Sequence, residues 1–417
     1  MIFVVVLSSP SGIALFTLIT QTAFGFDIQS SNNVALYWGQ NSAQASPQPP
    51  LKSYCNRPDV DILILSFIAT LYSSEKIPIL NLATPQCSPI PNSPGGQVTC
   101  PELAQDIEYC KTKGKKVLVS LGGATAGYEI QSSAEAEAAA KQIWDTYLGG
   151  GKDGVTVRPF GKVEVDGVDL DLETPAGQEG TYWPIFIDTI KSLYQSKAGR
   201  SGKTDYLITA SPQCVYPDVI LSPALKDKRS WFDMLFIQFY NNVCAPTNPT
   251  SFNFNEWAEW ARSSSLNPSV KLFIGAPASP SAAPSGGFTP LESLLQVASE
   301  AMEDCENARV FWGGASVPTN SSSNYNPFGG IAFWDASWTT AEYTAATKTG
   351  LTTSWQWARS RNHIFKREDP ADGEAKEAEA AESAADTVKR MRSRDTFRKT
   401  RASHRRHAIR RAHRHRR

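Results

Sequence analysis

DGVDLDLE, residues 166–173, sets four carboxylates into eight positions with Val and Leu threaded between them. Side chains alternate along a strand, so Asp169, Asp171 and Glu173 share one face and Val168, Leu170 and Leu172 the other. The apolar face requires a core. Three like charges stacked on the opposite face repel one another unless they share protons or bind something. The stretch therefore predicts a buried strand that carries a chemical site. A divalent-cation site is the blander reading of the same acids.

Seven further runs of strand character surround this one: VALYW (34–38), DILILSFI (61–68), KKVLVSLGG (115–123), YLITASPQ (206–213), DMLFIQFYNN (233–242), VKLFIGAP (270–277) and GGIAFWD (329–335). Helix-like stretches lie between them, such as 133–148, 182–195 and 289–305. Near-continuous apolar strands alternating with helices point to a parallel sheet covered on its outside. Eight such units over roughly 330 residues fit an α/β protein, a (β/α)8 barrel with enlarged loops. A doubly wound open sheet is the alternative, but no phosphate-binding glycine fingerprint follows the first strand. Nearly every run ends in polar or aromatic residues, and barrel sites are assembled from those strand ends. Tyr37, Trp38, Phe67, Tyr240 and Trp334 would form an aromatic collar there.

Charge divides the chain. Before Lys389 there are 27 basic and 40 acidic residues; from Lys389 onward there are fourteen basic residues and one acid, Asp395. Four of the five histidines lie in that basic tail, which argues against histidine-based catalysis in the body. Residues 1–25 resemble a signal peptide with a cleavage site at Ala23-Phe24-Gly25, and no second apolar stretch has membrane length. The expected organisation is leader 1–25, catalytic barrel 26–365, Ala/Glu-rich linker 366–388 and a disordered basic tail 389–417 that cannot bury a core. A destination outside the cell, secreted or wall-associated, follows, and Asn320 heads a glycosylation sequon. The seven cysteines suit an oxidising compartment, but the residues alone leave their pairing open. No metal-ligand spacing is present, and no cofactor is expected.

At this point the motifs resemble a known family. DGVDLDLE fits DGxDxDxE and SLGG (120–123) fits SxGG, both signatures of glycoside hydrolase family 18. ALYWGQN, SPQCVYPD, QFYNN and KLFIGAPASP resemble strand ends of its class III plant and fungal endochitinases. The resemblance spans about Asn33 to Trp338. It implies a substrate-assisted retaining hydrolysis of chitin or chito-oligosaccharides by a monomer. Glu173 would be the proton donor, Asp171 would orient the sugar's acetamido group, and Asp169 would share a proton with Asp171. Tyr240 would donate its hydroxyl, while Gln238, Asn241, Trp334, Tyr37, Gln40, Asn81 and Gly123 would line the cleft. The class III pattern also implies disulfides Cys55–Cys110, Cys87–Cys100 and Cys214–Cys244, with Cys305 free. A lectin- or inhibitor-like protein on the same barrel, or an endo-β-N-acetylglucosaminidase, is the alternative function. The basic tail is expected to meet anionic cell-wall glycans rather than nucleic acid.

Overall fold

The computed structural model describes residues 25–71, 77–127, 130–151, 157–173, 180–201, 206–312 and 325–364. The leader up to residue 24, the sequon at Asn320, and the linker and basic tail lie outside the described residues. The chain divides into two compact units, 1–358 and 359–417, and only 359–364 of the second is described.

Eight parallel strands close into a barrel. They are β1 (Asn33–Trp38), β2 (Ile62–Thr70), β3 (Lys116–Gly122), β4 (Gly167–Asp171), β5 (Leu207–Ala210), β6 (Met234–Gln238), β7 (Lys271–Pro277) and β8 (Phe328–Trp334). Each pairs with its sequence neighbours, and β1 pairs with both β2 and β8, so the sheet has no open ends of the doubly wound kind. Among the described residues there are eight α-helices: α1 (Leu51–Cys55), α2 (Pro101–Thr112), α3 (Ser133–Tyr147), α4 (Trp183–Ser201), α5 (Ser222–Lys226), α6 (Phe254–Ser263), α7 (Leu291–Trp312) and α8 (Ala341–Ile364). Ser132 starts α3 by accepting the Glu135 N–H at 3.2 Å, while the Glu135 carboxylate accepts the Gln131 N–H, a near relative of the capping box.

Strand alternation sorts the core into two. Val34, Leu36, Leu63, Leu65, Val117, Val119, Val168, Leu170, Leu235 and Ile237 face outward into the layer of helices. Ala35, Tyr37, Ile62, Ile64, Leu118, Met234, Phe236, Phe273 and Ala332 fill the lumen. Trp38 departs from the expected collar. It neighbours Tyr37 on one strand, so it points outward, is 1% exposed, and donates its indole N–H to the Pro49 carbonyl at 3.1 Å.

Three further differences from the sequence reading concern segments between the strands. Residues 79–80 pair antiparallel with the end of β2, and 88–89 pair with 98–99 in a small hairpin. These two-residue pairings are too short to register as periodicity. Helix α7 runs on to Trp312, beyond the expected end at 305. The three disulfides are the expected ones, with Cα separations of 5.1 Å for Cys55–Cys110, 4.1 Å for Cys87–Cys100 and 6.0 Å for Cys214–Cys244. Cys305 is a buried free thiol on α7, with its pKa pushed up to about 12 by burial.

At the amino-terminal end of the barrel one device recurs. An Asp immediately before a strand accepts the N–H of the second residue of the preceding strand: Asp61 from Val34 at 2.8 Å, Asp166 from Val117 at 2.9 Å and Asp233 from Ile208 at 2.8 Å. Lysines accompany all three. Lys348 pairs with Asp61 at 2.7 Å, Lys111 with Asp166 at 3.3 Å, and the Lys191 charge acts on Asp233. The first acid of DGVDLDLE is thus a clamp at the closed end, far along the strand from its three companions.

Candidate active site

β4 delivers the other three acids to the opposite end. Asp169 is fully buried, Asp171 is 3% exposed, and Glu173 lies just past the strand and is partly exposed. Asp169 is the anchored member. Its carboxylate accepts hydrogen bonds from Ser120 at 2.7 Å, Thr209 at 2.7 Å, Ser211 at 3.1 Å and Tyr37 at 3.3 Å. Tyr37 and Ser211 are also hydrogen-bonded to each other. Burial pushes the Asp169 pKa upward, and the four hydroxyl donors pull against it.

None of these hydroxyl residues except Tyr37 had been singled out from sequence as a functional group. Barrel register supplies the missing signal: Ser120 on β3 and Thr209 on β5 are the residues paired with Asp169 across the sheet. Parity then points all three into the lumen. Given the strand order, a hydroxyl on each side of the deepest acid could have been read out.

Asp171 sits one step higher. Gln238 donates its amide N–H to Asp171 Oδ1 at 2.8 Å and to the Ser211 carbonyl at 3.1 Å. Glu173 lies close enough to Asp171 and Gln238 for them to bear on its pKa, and its own charge bears on Asp171. Hydroxyls occupy both Asp169 oxygens, and the Asp169 charge acts on Asp171. Burial first, then the Glu173 and Asp169 charges, drive the Asp171 pKa well above the carboxylate range. Burial also raises the Glu173 pKa, with the Asp218 charge adding to it.

Tyr240 stands just beyond β6. Burial and the charges of Asp171, Glu173 and Asp169 raise its pKa well above the phenol value, so its hydroxyl remains a donor. Gly287 holds the neighbouring loop against it: a Cβ there would lie 2.7 Å from the Tyr240 Cα, and φ is +98°. Asn241 fastens the same loop by accepting the Ser285 N–H at 3.1 Å, and its own φ is +56°. Across the lumen, Trp334 stacks on Phe67 with centroids 5.7 Å apart and packs against Tyr37 at 5.8 Å. Gly123 makes room for that stack, since a Cβ would meet the Phe67 ring at 2.8 Å, and its N–H donates to the Asp171 carbonyl at 2.8 Å. Gln40 donates its amide N–H groups to the carbonyls of Ser66 at 2.7 Å and Asn81 at 3.1 Å. Asn81 pairs with Phe67 through its backbone, and its side chain is exposed.

The acid constellation therefore lies at the carboxyl-terminal mouth of the barrel, between a phenol donor and an aromatic wall. Among the described residues no three His, Cys, Asp or Glu converge as cation ligands. Residues 33–362 match the family described as Glycosyl hydrolases family 18. The chain belongs to that family. It is 36% identical over 331 residues to chitinase 1 of Rhizopus niveus, covering 78% of this chain and 58% of that protein. It is 33% identical over 354 residues to a class III chitinase of Arthroderma benhamiae, covering 82% of this chain and 92% of the relative. Against several other fungal chitinases the chain spans only about half of the relative's length. Among solved structures, a chitinase from Ipomoea carnea superposes with a TM-score of 0.58 at 29% identity, over 76% of this chain and 99% of that one. A xylanase and alpha-amylase inhibitor from Scadoxus multiflorus superposes with a TM-score of 0.57 at 25% identity, over 78% and 99%. Family 18 membership thus accounts for the barrel and the signature acids, and the site geometry bears on what this member does.

Proposed function

We propose that this family 18 protein is a secreted endochitinase that cleaves β-1,4 N-acetylglucosamine linkages by a substrate-assisted, retaining route. The observation that carries the proposal is the line of Asp169, Asp171 and Glu173 up one face of β4, with Asp169 held by hydroxyl donors and Asp171 by the Gln238 amide. Glu173, at the open end and with its pKa raised by burial, gives a proton to the glycosidic oxygen. Asp171 is then ionised, steadied by the Gln238 N–H, and accepts the N–H of the acetamido group on the sugar being cleaved. Held in that position, the acetamido oxygen attacks the anomeric carbon as the leaving group departs, forming an oxazolinium ion. The Asp171 carboxylate offsets its positive charge. Water, deprotonated by Glu173, opens the ring from the same face, and the configuration is retained. The Tyr240 hydroxyl supports the acetamido oxygen, and Trp334 forms the apolar floor.

Chitin oligosaccharides test the reading directly. Wild-type protein releases shorter acetylated oligomers of retained anomeric configuration, whereas Glu173→Gln binds them but loses at least about a hundredfold in turnover, the usual contribution of a general acid. Fully deacetylated oligomers remain uncut because they lack the nucleophile. A non-catalytic reading has one support, the similarity to the inhibitor structure; binding without product from wild-type protein would select it.

The proposal extends to the rest of the chain. The apolar leader and three disulfides support secretion. The barrel of 26–365 would act as a monomer, carry glycan at Asn320, and be tethered by the 389–417 tail to anionic wall glycans through salt-sensitive contacts.

A further inference from the structure

The loop after β5 contains a buried carboxylate that this mechanism leaves unused. Asp218 is 3% exposed and accepts three backbone hydrogen bonds, from Gln213 at 3.0 Å, Ile220 at 2.8 Å and Leu221 at 2.6 Å. Burial raises its pKa, and the three backbone donors pull against that rise. Among the described residues no lysine or arginine forms an ion pair with it.

The turn closed by Asp218 begins at the residue that ties β5 to β6. Gln213 bridges to Gln238 across the strand ends, with the Gln238 N–H on the Pro212 carbonyl at 2.8 Å and the Cys214 N–H on the Gln238 carbonyl at 3.3 Å. Asn242 donates to Gln213 Oε1 at 3.3 Å, and Cys214–Cys244 fastens the two loops covalently. The side chain of the same Gln238 reaches Asp171 at 2.8 Å. A continuous set of contacts therefore runs from Asp218 to the acid pair.

We infer that Asp218 is a positioning residue for the hydrolysis proposed above: it locks the β5 loop against β6, so that Gln238 stays on Asp171, and it sets a further carboxylate beside the acids from outside their strand. Glu173 is faced by Asp171 from its own strand, by Gln238 and Tyr240 from the β6 end, and by Asp218 from the β5 loop. Asp171 in turn is faced by Asp169, Glu173 and Gln238, and its charge is felt by Tyr37 and Tyr240. Among these neighbours Asp218 is a carboxylate outside the reacting set, so it can be neutralised without removing a group that touches substrate.

The inference rests on the proposed activity, and its test is the pH dependence of kcat/KM on a chito-oligosaccharide for the full chain. A negative charge near Glu173 favours its protonated form, so removing it lets the proton leave at lower pH. Asp218→Asn should move the basic limb of the profile down by at least about 0.5 unit, the effect of losing a nearby like charge. Asp218→Glu, which keeps the charge, should retain the wild-type limb. If Asp218→Asn does not accumulate as folded protein, Asp218→Ser, neutral and small enough for the same space, is read in the same way. A neutral variant that loses turnover while its basic limb stays at the wild-type position would overturn the inference, because that is what a purely structural role produces. Failure of the underlying activity would look different, since wild-type protein would then yield no product at any pH.

Discussion

The two ends of the barrel treat buried carboxylates in opposite ways. At the amino-terminal end, Asp61, Asp166 and Asp233 each receive a strand N–H, and each has a lysine to offset its charge. At the carboxyl-terminal end, Asp169, Asp171 and Glu173 are given hydroxyls, one amide and one another. The charges acting on Asp171 are those of Glu173 and Asp169, both of its own sign. At one end lysine charges pull the Asp61 and Asp233 pKa values back against burial, whereas at the other burial and like charge raise those of Asp171 and Glu173, the condition a general acid needs. One octapeptide contains both treatments, with Asp166 at one end of the strand and Glu173 at the other.

The sharpest way to break that contrast is to neutralise the upper site. Asp171→Asn should lower chitin turnover by about 10²–10³, the range for removing one pre-aimed electrostatic group. The same change should raise stability at neutral pH by about 1 kcal/mol, since it removes a group whose ionised form is penalised by burial and like charge. The folded-state pKa of Asp171 is raised, so the penalty is full above that pKa, shrinks as pH falls below it and is gone below the unfolded-state value. Thermal melts should therefore show the variant's advantage at neutral pH shrinking in acid. A variant less stable than wild type at neutral pH would mean that the upper acids hold the barrel together as the lower ones do.

Lys348→Met makes the reverse test at the closed end. It leaves Asp61, 1% exposed in its side chain, without its ion-pair partner, and should cost on the order of 3 kcal/mol at neutral pH. Burial already raises the Asp61 pKa, so the unfolded state releases this proton more readily and the deficit narrows as acid protonates the folded carboxylate. Denaturant titrations at two pH values measure this. Turnover per folded molecule should stay at the wild-type value.

How far the sequence could carry this contrast differs between the ends. All eight barrel strands were legible as apolar runs, and the upper acids were legible because period-two spacing puts them on one face. Trp38 was assigned to the wrong face for want of the same parity argument applied to Tyr37. The hydroxyls of Ser120, Thr209 and Ser211 were illegible because Ser and Thr occur everywhere, and only cross-strand register brings them to Asp169. The closed-end clamps were hidden for a related reason. Their partners are backbone N–H groups on a neighbouring strand and lysines as far as 287 residues away, so nothing local marks the Asp before each strand. The disulfide pairing came from family resemblance, since the residues themselves allow many arrangements.

Asp166→Asn gives the smallest expected effect and tests the division within a single motif. Its Oδ2 accepts the Val117 N–H at 2.9 Å, and its Oδ1 faces Lys111 at 3.3 Å. An asparagine oxygen can keep the hydrogen bond to Val117, while the amide loses the attraction to Lys111 and presents N–H groups to a cation. Lys111 is itself part-exposed and also donates to the Glu164 carbonyl at 2.7 Å, so it has another partner to retain. Losing a pair of that kind costs about 0.5–1 kcal/mol, and stronger salt should narrow the gap. Equilibrium unfolding at low and high ionic strength reads the stability, and initial rates on a chito-oligosaccharide read the site. The expected result is a modest, salt-dependent loss of stability with kcat and its pH profile unchanged. A tenfold fall in kcat at full folding would show that the first acid of the octapeptide belongs functionally with the other three, and the division between the two ends of β4 would fail.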